Sequence, residues 1–328
     1  MYIVTGGAGF IGSVFVAKLN AEGRKDIIIV DEIGTSAKWK NIRCKAYLDY
    51  IHKDEFIKML HSGKLPGQRK KGAVKGIVHL GACSSTTEED FDYLMENNFR
   101  YTCALADYAL RHNVRFIYAS SAATYGDGAL GYRDDEAVIP RLKPLNRYGY
   151  SKQLFDMRAF ENGLFKRIVG LKFFNVYGPN EYHKGSMISV VNRAFQQVRE
   201  QGQVRLFKSY RPDYADGEQK RDFIYVKDCA EVMWWLLRHP KINGIFNLGT
   251  GVARTWNDLA RAVFSALGLE PHIKYVDMPE ELQLQYQYYT EACMDKLKKT
   301  KCPLKFHSLE EGVRDYVLNY LAAPDPYL

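Results

Sequence analysis

The chain has 328 residues, of which 46% are hydrophobic and 26% are charged, a balance typical of globular rather than disordered proteins. No apolar run approaches the roughly 18 to 20 residues that cross a bilayer, and the net charge of +8 comes without a nucleic-acid-binding motif. We therefore expect a soluble α/β protein with an added lobe or a second domain, and neither a membrane nor a nucleic acid as a partner.

Apolar segments of strand length alternate with helical patterns from the N-terminus onward. Strands are predicted at Tyr2–Thr5, Ile27–Val30, Ile77–Leu80 and Arg115–Ala119, and the first helix at Gly12–Asn20. These strands lack polar alternation, as expected where helices cover both faces of a parallel sheet. The first half of the chain is therefore predicted to be a Rossmann-like, doubly wound parallel sheet.

The first strand leads directly into a glycine-rich loop. Gly6, Gly9 and Gly12 lie between this strand and the first helix, and the second strand ends at Asp31. Glycine permits a tight turn and lets backbone amides approach a pyrophosphate, whose charge the helix N-terminus stabilises. With the strand, the helix and the downstream acid all in place, the loop predicts a dinucleotide site.

The choice between NAD and NADP stays open on the residues alone. Asp31 would accept hydrogen bonds from an adenosine ribose and favour NAD. Lys38 and Lys53 follow it, and either one would neutralise the 2′-phosphate of NADP or simply lie on the surface.

The cysteines and the start of the sequence bear on the compartment. A strand that begins at Tyr2 leaves no room for a signal peptide, so we expect a cytoplasmic protein. The six cysteines form no C-x-x-C pair and no Cys/His cluster at metal-ligand spacing, so reduced thiols and no metal site are predicted. A basic, turn-rich segment between Lys64 and Gly76 is predicted to be an exposed connection.

Tyr148 and Lys152 are one turn apart on a predicted helix and therefore share one face. A phenol has a pKa near 10, too high for a base at neutral pH, and a neighbouring ammonium lowers that pKa by stabilising the phenolate. The pair therefore predicts a tyrosine that moves protons, assisted by a lysine. Ser121, at the end of the preceding strand, either polarises a substrate carbonyl or bonds to the local backbone.

The second half of the chain is less regular. A turn after residue 176 predicts that residues 1–175 form the dinucleotide-binding domain, with later returns at about 220–250, and that residues 176–328 form mainly a substrate lobe. Arg211–Gln219 is predicted to be a mobile loop. Ser308–Leu321 has a capping serine and helical apolar spacing, which predict a final helix.

Taken in order, the glycine loop, Ser121 and the Tyr148/Lys152 pair resemble the extended short-chain dehydrogenases/reductases that act on nucleotide sugars, the NAD-dependent epimerase/dehydratase family. Three later segments also match that family: Asn175–Pro179, Arg221–Asp228 and Phe246–Gly249. The resemblance covers nearly the whole chain. It implies an enzyme that holds a nicotinamide cofactor tightly and assembles as a homo-oligomer.

Within the family, Gly81–Glu88, Tyr118–Gly126 and His183–Met187 resemble the group of epimerases that act on ADP-heptose in the synthesis of the lipopolysaccharide inner core. This resemblance implies inversion of C6″ of ADP-D-glycero-D-manno-heptose by NADP, which takes a hydride and returns it. It also assigns Lys184 as a second base. Without the resemblance, Lys184 would be interpreted as a surface lysine.

The same resemblance implies the ligand contacts. The residues implied for the cofactor are Gly6, Gly9, Phe10, Ile11, Gly12, Asp31, Glu32, Lys38, Lys53, Leu80, Gly81, Ala82, Cys83, Ser84, Asn97, Lys152, Val176 and Lys184. The residues implied for the ADP-sugar substrate are Asn175, Ser186, Arg193, Phe207, Lys208, Ser209, Tyr210, Arg221 and Tyr286. A guanidinium suits a diphosphate, although pairing with Asp222 is the alternative for Arg221.

Some positions depart from the group. Arg193 stands where the group tends to have His, and Leu80 where it tends to have Glu. Related dehydratases carry Asp-Glu just after the catalytic hydroxyl, where this chain has Ala122 and Ala123, so dehydration is not expected. The alternatives kept open are a UDP-sugar C4 epimerase and a non-catalytic NADP-binding sensor, which typically lacks the Tyr/Lys pair.

Overall fold

The structure, a computed structural model, describes residues 1–63, 65, 74–283 and 286–328. Its strands are β1 (Tyr2–Thr5), β2 (Ile27–Asp31), β3 (Asp49–His52), β4 (Gly76–His79), β5 (Arg115–Ser121), β6 (Val169–Phe173), β7 (Asn175–Tyr177), β8 (Val204–Phe207), β9 (Lys220–Tyr225), β10 (Gly244–Leu248), β11 (Ala253–Thr255) and β12 (Ile273–Val276). Its α-helices are α1 (Phe10–Ala21), α2 (Lys53–Ser62), α3 (Phe91–Leu94), α4 (Tyr101–Arg111), α5 (Arg147–Glu161), α6 (Val190–Gln201), α7 (Val226–Arg238), α8 (Trp256–Ala266), α9 (Glu280–Gln283), α10 (Asp295–Lys299) and α11 (Leu309–Tyr316).

Seven strands form the main sheet, in the order β10-β6-β5-β4-β1-β2-β3, and every neighbouring pair is parallel. From β1 the chain builds the sheet outward through β2 and β3 on one side, and from β4 it builds the sheet in the opposite direction, so the strand order reverses between β1 and β4. In such sheets the crevice beyond the carboxyl ends of the strands at this reversal is where ligands bind. The predicted Rossmann-like fold is confirmed, and its topology places the glycine loop after β1 at that crevice.

Both faces of the sheet are covered because adjacent residues of each strand enter different cores. On β1, Ile3 belongs to one buried cluster and Val4 to the other. The cluster that contains Val4 includes Phe15 of α1, and the cluster that contains Ile3 includes Phe155 of α5. This is why β2 is buried along its whole length and shows no polar alternation.

The remaining strands form two smaller sheets beside the crevice. One has the order β11-β9-β7, and the other pairs β12 with β8. Since β10 returns to the main sheet and α7 packs on α1, the chain leaves the main sheet and re-enters it. The division into residues 1–175 and 176–328 stays a prediction.

Several local predictions can be compared with the structure. The final helix is confirmed: Ser308 caps α11 in a capping box with Glu311, and a π-helical turn, Val317–Leu321, continues it. Arg211–Gln219 contains neither helix nor strand. All six cysteines are free thiols. The predicted connection between Lys64 and Gly76 lies mostly outside the described residues. In the part of the chain that is described, no helix has the length and apolar content needed to cross a membrane.

Candidate active site

At two positions of the glycine loop, a side chain would collide with neighbouring backbone atoms. Gly6 has a φ of +66°, and a Cβ there would lie 2.6 Å from the backbone nitrogen of Gly81. A Cβ on Gly12 would lie 2.0 Å from the carbonyl oxygen of Gly6. The loop is therefore packed between the segment after β4 and the first turn of α1. This packing brings backbone amides and the N-terminus of α1 to one side of the crevice, as a pyrophosphate would need.

Asp31 at the end of β2 ties the glycine loop to the sheet. Its side chain is buried, and one carboxylate oxygen accepts a hydrogen bond from the amide of Ala8 at 2.9 Å. The other oxygen accepts from the backbone amide of Glu32 at 2.8 Å and from the ammonium of Lys38 at 3.0 Å. Lys38 therefore lies at the cleft and neutralises Asp31.

A second lysine neutralises the neighbouring acid. The ammonium of Lys53 lies 2.7 Å from the carboxylate of Glu32 and donates to the side chain of Asn97 at 2.8 Å. The hydrogen bond from Lys53 lowers the pKa of the Glu32 carboxyl. Each acid at the end of β2 thus has its own lysine, and all of these groups line one wall of the cleft.

The cofactor residues predicted from the sequence come together around the crevice. One cavity of about 220 Å³ is lined by Gly6, Gly9, Phe10, Ile11, Gly12, Asp31, Lys38, Leu80, Gly81, Ala82, Ser84, Lys152 and Lys184. An adjoining cavity of about 100 Å³ is lined by Glu32, Lys53, Cys83 and Asn97. Val176 lines a third cavity, described below. Burial raises the pKa of the Cys83 thiol, which keeps it protonated.

The predicted catalytic helix begins at Arg147, and the side chain of Asn146 caps it by accepting from the amide of Gly149 at 2.7 Å. Asn is a favoured residue at this position because it satisfies an amide that the helix leaves free. Tyr148 and Lys152 lie on α5 as predicted, and both line the cavity that contains the glycine loop.

The sequence predicted that the Lys152 ammonium lowers the pKa of Tyr148, and the structure differs from that prediction. Burial raises the pKa of Tyr148, and the hydroxyl of Ser121 partly offsets that rise. Burial also lowers the pKa of Lys152 to about 8, against the attraction of Asp156. The ammonium of Lys152 donates to the carbonyl of Ala119 at 3.0 Å. Lys152 is therefore held on β5, and the expected fall in the pKa of Tyr148 is absent.

Ser121 occupies the carboxyl end of β5, where its predicted bond to the local backbone is present and its contact with a substrate stays a prediction. Its hydroxyl oxygen accepts a hydrogen bond from the amide of Ala123 at 3.1 Å, which caps the short helical turn that follows. It also lines a cavity of about 390 Å³ together with Tyr148 and Lys184. The bond to Ala123 uses only the oxygen, so the hydroxyl hydrogen can bond to the phenol oxygen of Tyr148, which is why Ser121 lowers the pKa of that tyrosine.

Lys184 lies on the loop between β7 and α6 and is partly buried. Its ammonium is 5.2 Å from the centre of the Phe10 ring, and its backbone amide donates to the carbonyl of Glu181 at 3.0 Å. The Glu181 carboxylate in turn accepts from the amide of Ser189 at 2.7 Å, which fixes both ends of the loop. Burial lowers the pKa of Lys184, opposed by Glu181. Lys184 is thus not a free surface lysine.

Arg221, on β9, is the buried cation of the cavity that contains Ser121. Its guanidinium lies 5.6 Å from the ring of Trp256 and 5.3 Å from the ring of Tyr286. The alternative pairing with Asp222 is wrong. The Asp222 carboxylate accepts from the backbone amides of Thr250, at 2.7 Å, Gly251 and Ala292 instead. Arg221 is therefore held by aromatic faces and has no described carboxylate beside it.

Of the predicted substrate residues, five line a cavity and four do not. Asn175 and Arg221 line the 390 Å³ cavity, whereas Arg193, Phe207 and Tyr286 line a neighbouring cavity of about 820 Å³. Val190 and Trp256 line both cavities, so the two adjoin. The residues that line neither of them are Ser186, Lys208, Ser209 and Tyr210.

Of the four residues that line neither cavity, Ser186, Lys208 and Tyr210 contact residues that do. Arg193 donates a hydrogen bond to the carbonyl of Ser186. Lys208 and Tyr210 both contact the carboxylate of Asp277, at 3.0 and 3.2 Å, and Asp277 lines the larger cavity. These residues border the cavities and do not form their walls.

Trp256, Gln287 and Thr290 are among the cavity residues that were not predicted from the sequence. The hydroxyl of Thr290 is buried and has no partner among the described residues. The pairing of β9 with β11 and the bridge from Lys220 to Tyr289 bring these segments beside Arg221. Because these contacts join distant parts of the chain, no local pattern indicates them.

Comparison with known proteins places the chain in a family. The model of the NAD dependent epimerase/dehydratase family matches residues 2–249. Over their full lengths, the chain is 60% identical to an ADP-L-glycero-D-manno-heptose-6-epimerase of Nitratidesulfovibrio vulgaris (strain DP4), and 50% identical to one of Fusobacterium nucleatum subsp. nucleatum. The solved Helicobacter pylori ADP-L-glycero-D-manno-heptose-6-epimerase superposes with a TM-score of 0.79 at 25% identity, over 98% of this chain and 96% of that one. The chain belongs to the NAD dependent epimerase/dehydratase family, as the resemblance predicted.

Proposed function

From this membership, we propose that the chain inverts C6″ of ADP-D-glycero-D-manno-heptose to give ADP-L-glycero-D-manno-heptose, by transient oxidation with bound NADP, for synthesis of the lipopolysaccharide inner core. Full-length relatives at 60% and 50% identity that are named for this epimerase support the proposal. The observation that carries the chemistry is that Ser121, Tyr148 and Lys184 line one cavity, with Lys152 in the adjoining cleft.

The geometry of the glycine loop suits the cleft to a nicotinamide dinucleotide. The space beside Gly6 and Gly12 is too narrow for a Cβ, and the loop presents amides beside a helix N-terminus. When bound, the nicotinamide supplies a hydride acceptor and donor. We assign NADP rather than NAD because Lys38 and Lys53 neutralise Asp31 and Glu32, which would otherwise repel a 2′-phosphate.

The protein's own side chains supply the proton transfers. In the proposal, Tyr148 acts as a phenolate that the Lys152 ammonium stabilises, takes the proton of the C6″ hydroxyl and becomes a neutral phenol. Ser121, whose hydroxyl bonds to Tyr148, donates its hydrogen to the oxygen on C6″ when the sugar is bound. Inversion requires the sugar to present both faces of C6″ in turn, so a second proton-handling group is needed. Lys184, whose pKa burial lowers, takes that role from a different element of the fold.

Substrate binding is assigned to the two adjoining cavities. Arg221 pairs with the diphosphate, because a buried guanidinium that has aromatic rings but no described acid beside it is available for an anion. Asn175 lies in the smaller cavity, while Arg193, Phe207 and Tyr286 lie in the larger one. The remaining proposed contacts, at the border of the cavities, are Ser186, Lys208, Ser209 and Tyr210.

The competing functions find less support. A dehydratase needs acids after the catalytic hydroxyl, but Ala122 and Ala123 line the cavity there and cannot transfer protons. A non-catalytic sensor has no use for Tyr148 and Lys152 in one cleft. The named relatives favour ADP-heptose over a UDP-sugar. From the same resemblance we also propose a homo-oligomer and a cytoplasmic location.

One experiment tests substrate and cofactor together. The purified protein is incubated with ADP-D-glycero-D-manno-heptose without added cofactor, and the configuration at C6″ is followed by NMR. The nucleotide released on denaturation is then identified. We expect inversion and the release of NADP. Retention of configuration would refute the heptose assignment, whereas release of NAD alone would refute the NADP assignment and leave the substrate intact.

A further inference from the structure

A buried ion pair lies behind the site and takes no part in the roles assigned above. Lys172 on β6 and Asp156 on α5 are 1% and 0% exposed, and the lysine ammonium is 2.9 Å from the aspartate carboxylate. Removing two charges from water is unfavourable, and apolar residues of similar size often stabilise a core equally well. Stability alone therefore does not account for this pair.

The hydrogen bonds of the pair join α5 to the two strands beneath it. Asp156 accepts from the hydroxyl of Tyr118 and from the hydroxyl of Ser120, both at 2.7 Å and both on β5. Lys172, which is the register partner of Ser120 on β6, also donates to the hydroxyl of Thr124. Asp156 is thus a three-way contact between one helix and two strands.

The same helix carries the proposed proton-transfer residues. Tyr148, Lys152 and Asp156 follow one another at single-turn intervals, so they lie along one face of α5. On β5, the carbonyl of Ala119 accepts from Lys152, and the hydroxyl of the next residue, Ser120, donates to Asp156. The inner end of the catalytic face is therefore fixed to the strand that ends at Ser121.

We propose that Asp156 and Lys172 are positioning residues, which hold α5 on β5 and β6 so that Tyr148 and Lys152 stand correctly beside Ser121. This inference rests on the proposed roles of Tyr148 and Lys152. The pair also sets the charge around Lys152, because Asp156 is an anion between two buried cations.

Several other groups act on Lys152. Asp156 and Cys83, which follows β4, raise its pKa, and burial lowers it. His79 on β4 is kept neutral because burial, with Lys152 adding to it, lowers the pKa of its imidazole to about 3. Lys172 reaches Lys152 only through Asp156. The other charged or titratable groups of the described residues that surround Lys152 include Asp156, Cys83 and His79, together with those that line the same cavity, namely Tyr148, Lys184, His183, Lys38 and Asp31.

The two single variants are expected to move the protonation of Lys152 in opposite directions. Asp156→Asn removes the anion and leaves two cations, which lowers the pKa of Lys152 by about one unit. Lys172→Met removes the competing cation and leaves Lys152 beside an unshared anion, which raises that pKa. A residue that only supports the fold would move neither in this way.

The measurement is NMR of lysine labelled with ¹³C at Cε, in the protein with its bound cofactor, with the Lys152 signal assigned from Lys152→Arg. The alkaline limb of kcat/KM on ADP-D-glycero-D-manno-heptose should shift in the same direction as the titration. Asp156→Glu keeps the charge but displaces the helix, so we expect kcat to fall at least tenfold with KM nearly unchanged. The matched control is Lys227→Met, which breaks the half-buried ion pair of Lys227 on α7 with Asp315 on α11 and should leave the Lys152 signal alone.

If a single variant does not fold, the double variant Asp156→Leu/Lys172→Met removes both charges of the pair, so neither partner is left buried and unpaired. It should fold, as judged by its circular dichroism and bound cofactor, and should lose kcat at least tenfold. Wild-type kcat in the double variant would overturn the proposal, as would shifts of the same sign, or no shift, in the two single variants. Because the NMR titration needs no sugar, a wild-type protein that leaves the ADP-heptose unchanged refutes the proposed function separately.

Discussion

The two sides of the cavity are built in different ways. On the sheet side, Tyr148 and Lys152 lie on one helix that is anchored to β5 through Ala119. On the lobe side, Lys184 lies on an irregular loop held by Glu181, and Arg221 lies between aromatic rings from separate segments. The sheet side is therefore rigid by regular structure and the lobe side by long-range packing. In our account, the first side binds the cofactor and supplies Tyr148 for proton transfer, and the second side holds the sugar and supplies Lys184 as the second proton-handling group.

The largest effect is expected on the sheet side. Tyr148→Phe removes the hydroxyl that moves the proton and should lower kcat by about 10³-fold, within the range that a general base supplies. The control is Tyr150→Phe, an exposed tyrosine of the same helix, which should keep its activity. Equal kcat in Tyr148→Phe and Tyr150→Phe would refute the assignment of Tyr148 as the group that moves the proton.

Lys184→Met tests the lobe side of the same comparison. The variant keeps the length of the side chain but loses the ammonium, and kcat should fall by about 10²-fold. Lys25→Met, at an exposed loop position, serves as the control. If Lys184→Met matches that control, inversion does not need a second group from the loop.

Arg221→Gln should affect binding more than chemistry. Loss of a charge-assisted contact with the diphosphate corresponds to about 2 kcal/mol, or roughly a 30-fold rise in KM with a smaller change in kcat. Arg199→Gln, exposed on α6, is the comparison variant. A drop in kcat at unchanged KM would move Arg221 from binding to the reaction itself.

The smallest effect is expected at the cofactor end of the sheet side. Lys53→Ala leaves Glu32 without its ammonium, so the affinity for NADP should fall about tenfold while that for NAD changes less. Isothermal titration of protein stripped of cofactor measures both affinities, with Lys58→Ala on the same helix as the control. A parallel loss for both nucleotides would argue against a 2′-phosphate contact.

The contrast between regular structure on the sheet side and long-range packing on the lobe side explains which features the sequence could predict. The βαβ unit, the glycine loop and the Tyr148/Lys152 face depend on spacings of a few residues, and the structure reproduces all three. Trp256 and Thr290 reach the cavity only because β9 pairs with β11 and with the segment at Tyr289. The spacing of Tyr148 and Lys152 also could not predict the rise in the pKa of Tyr148, since that rise depends on burial, while the Lys152 ammonium bonds to a carbonyl.

The central claim is that C6″ is inverted by transfer of its hydride to the bound cofactor and back to C6″. Tyr148 and Lys184 transfer only the hydroxyl proton. Running the reaction in D₂O and following C6″ of the product by NMR tests this most directly. A hydride that stays on the bound cofactor does not exchange with solvent, so the account predicts inverted product with no deuterium at C6″. Inverted product that carries deuterium at C6″ would contradict it, because the carbon-bound hydrogen would then have left as a proton.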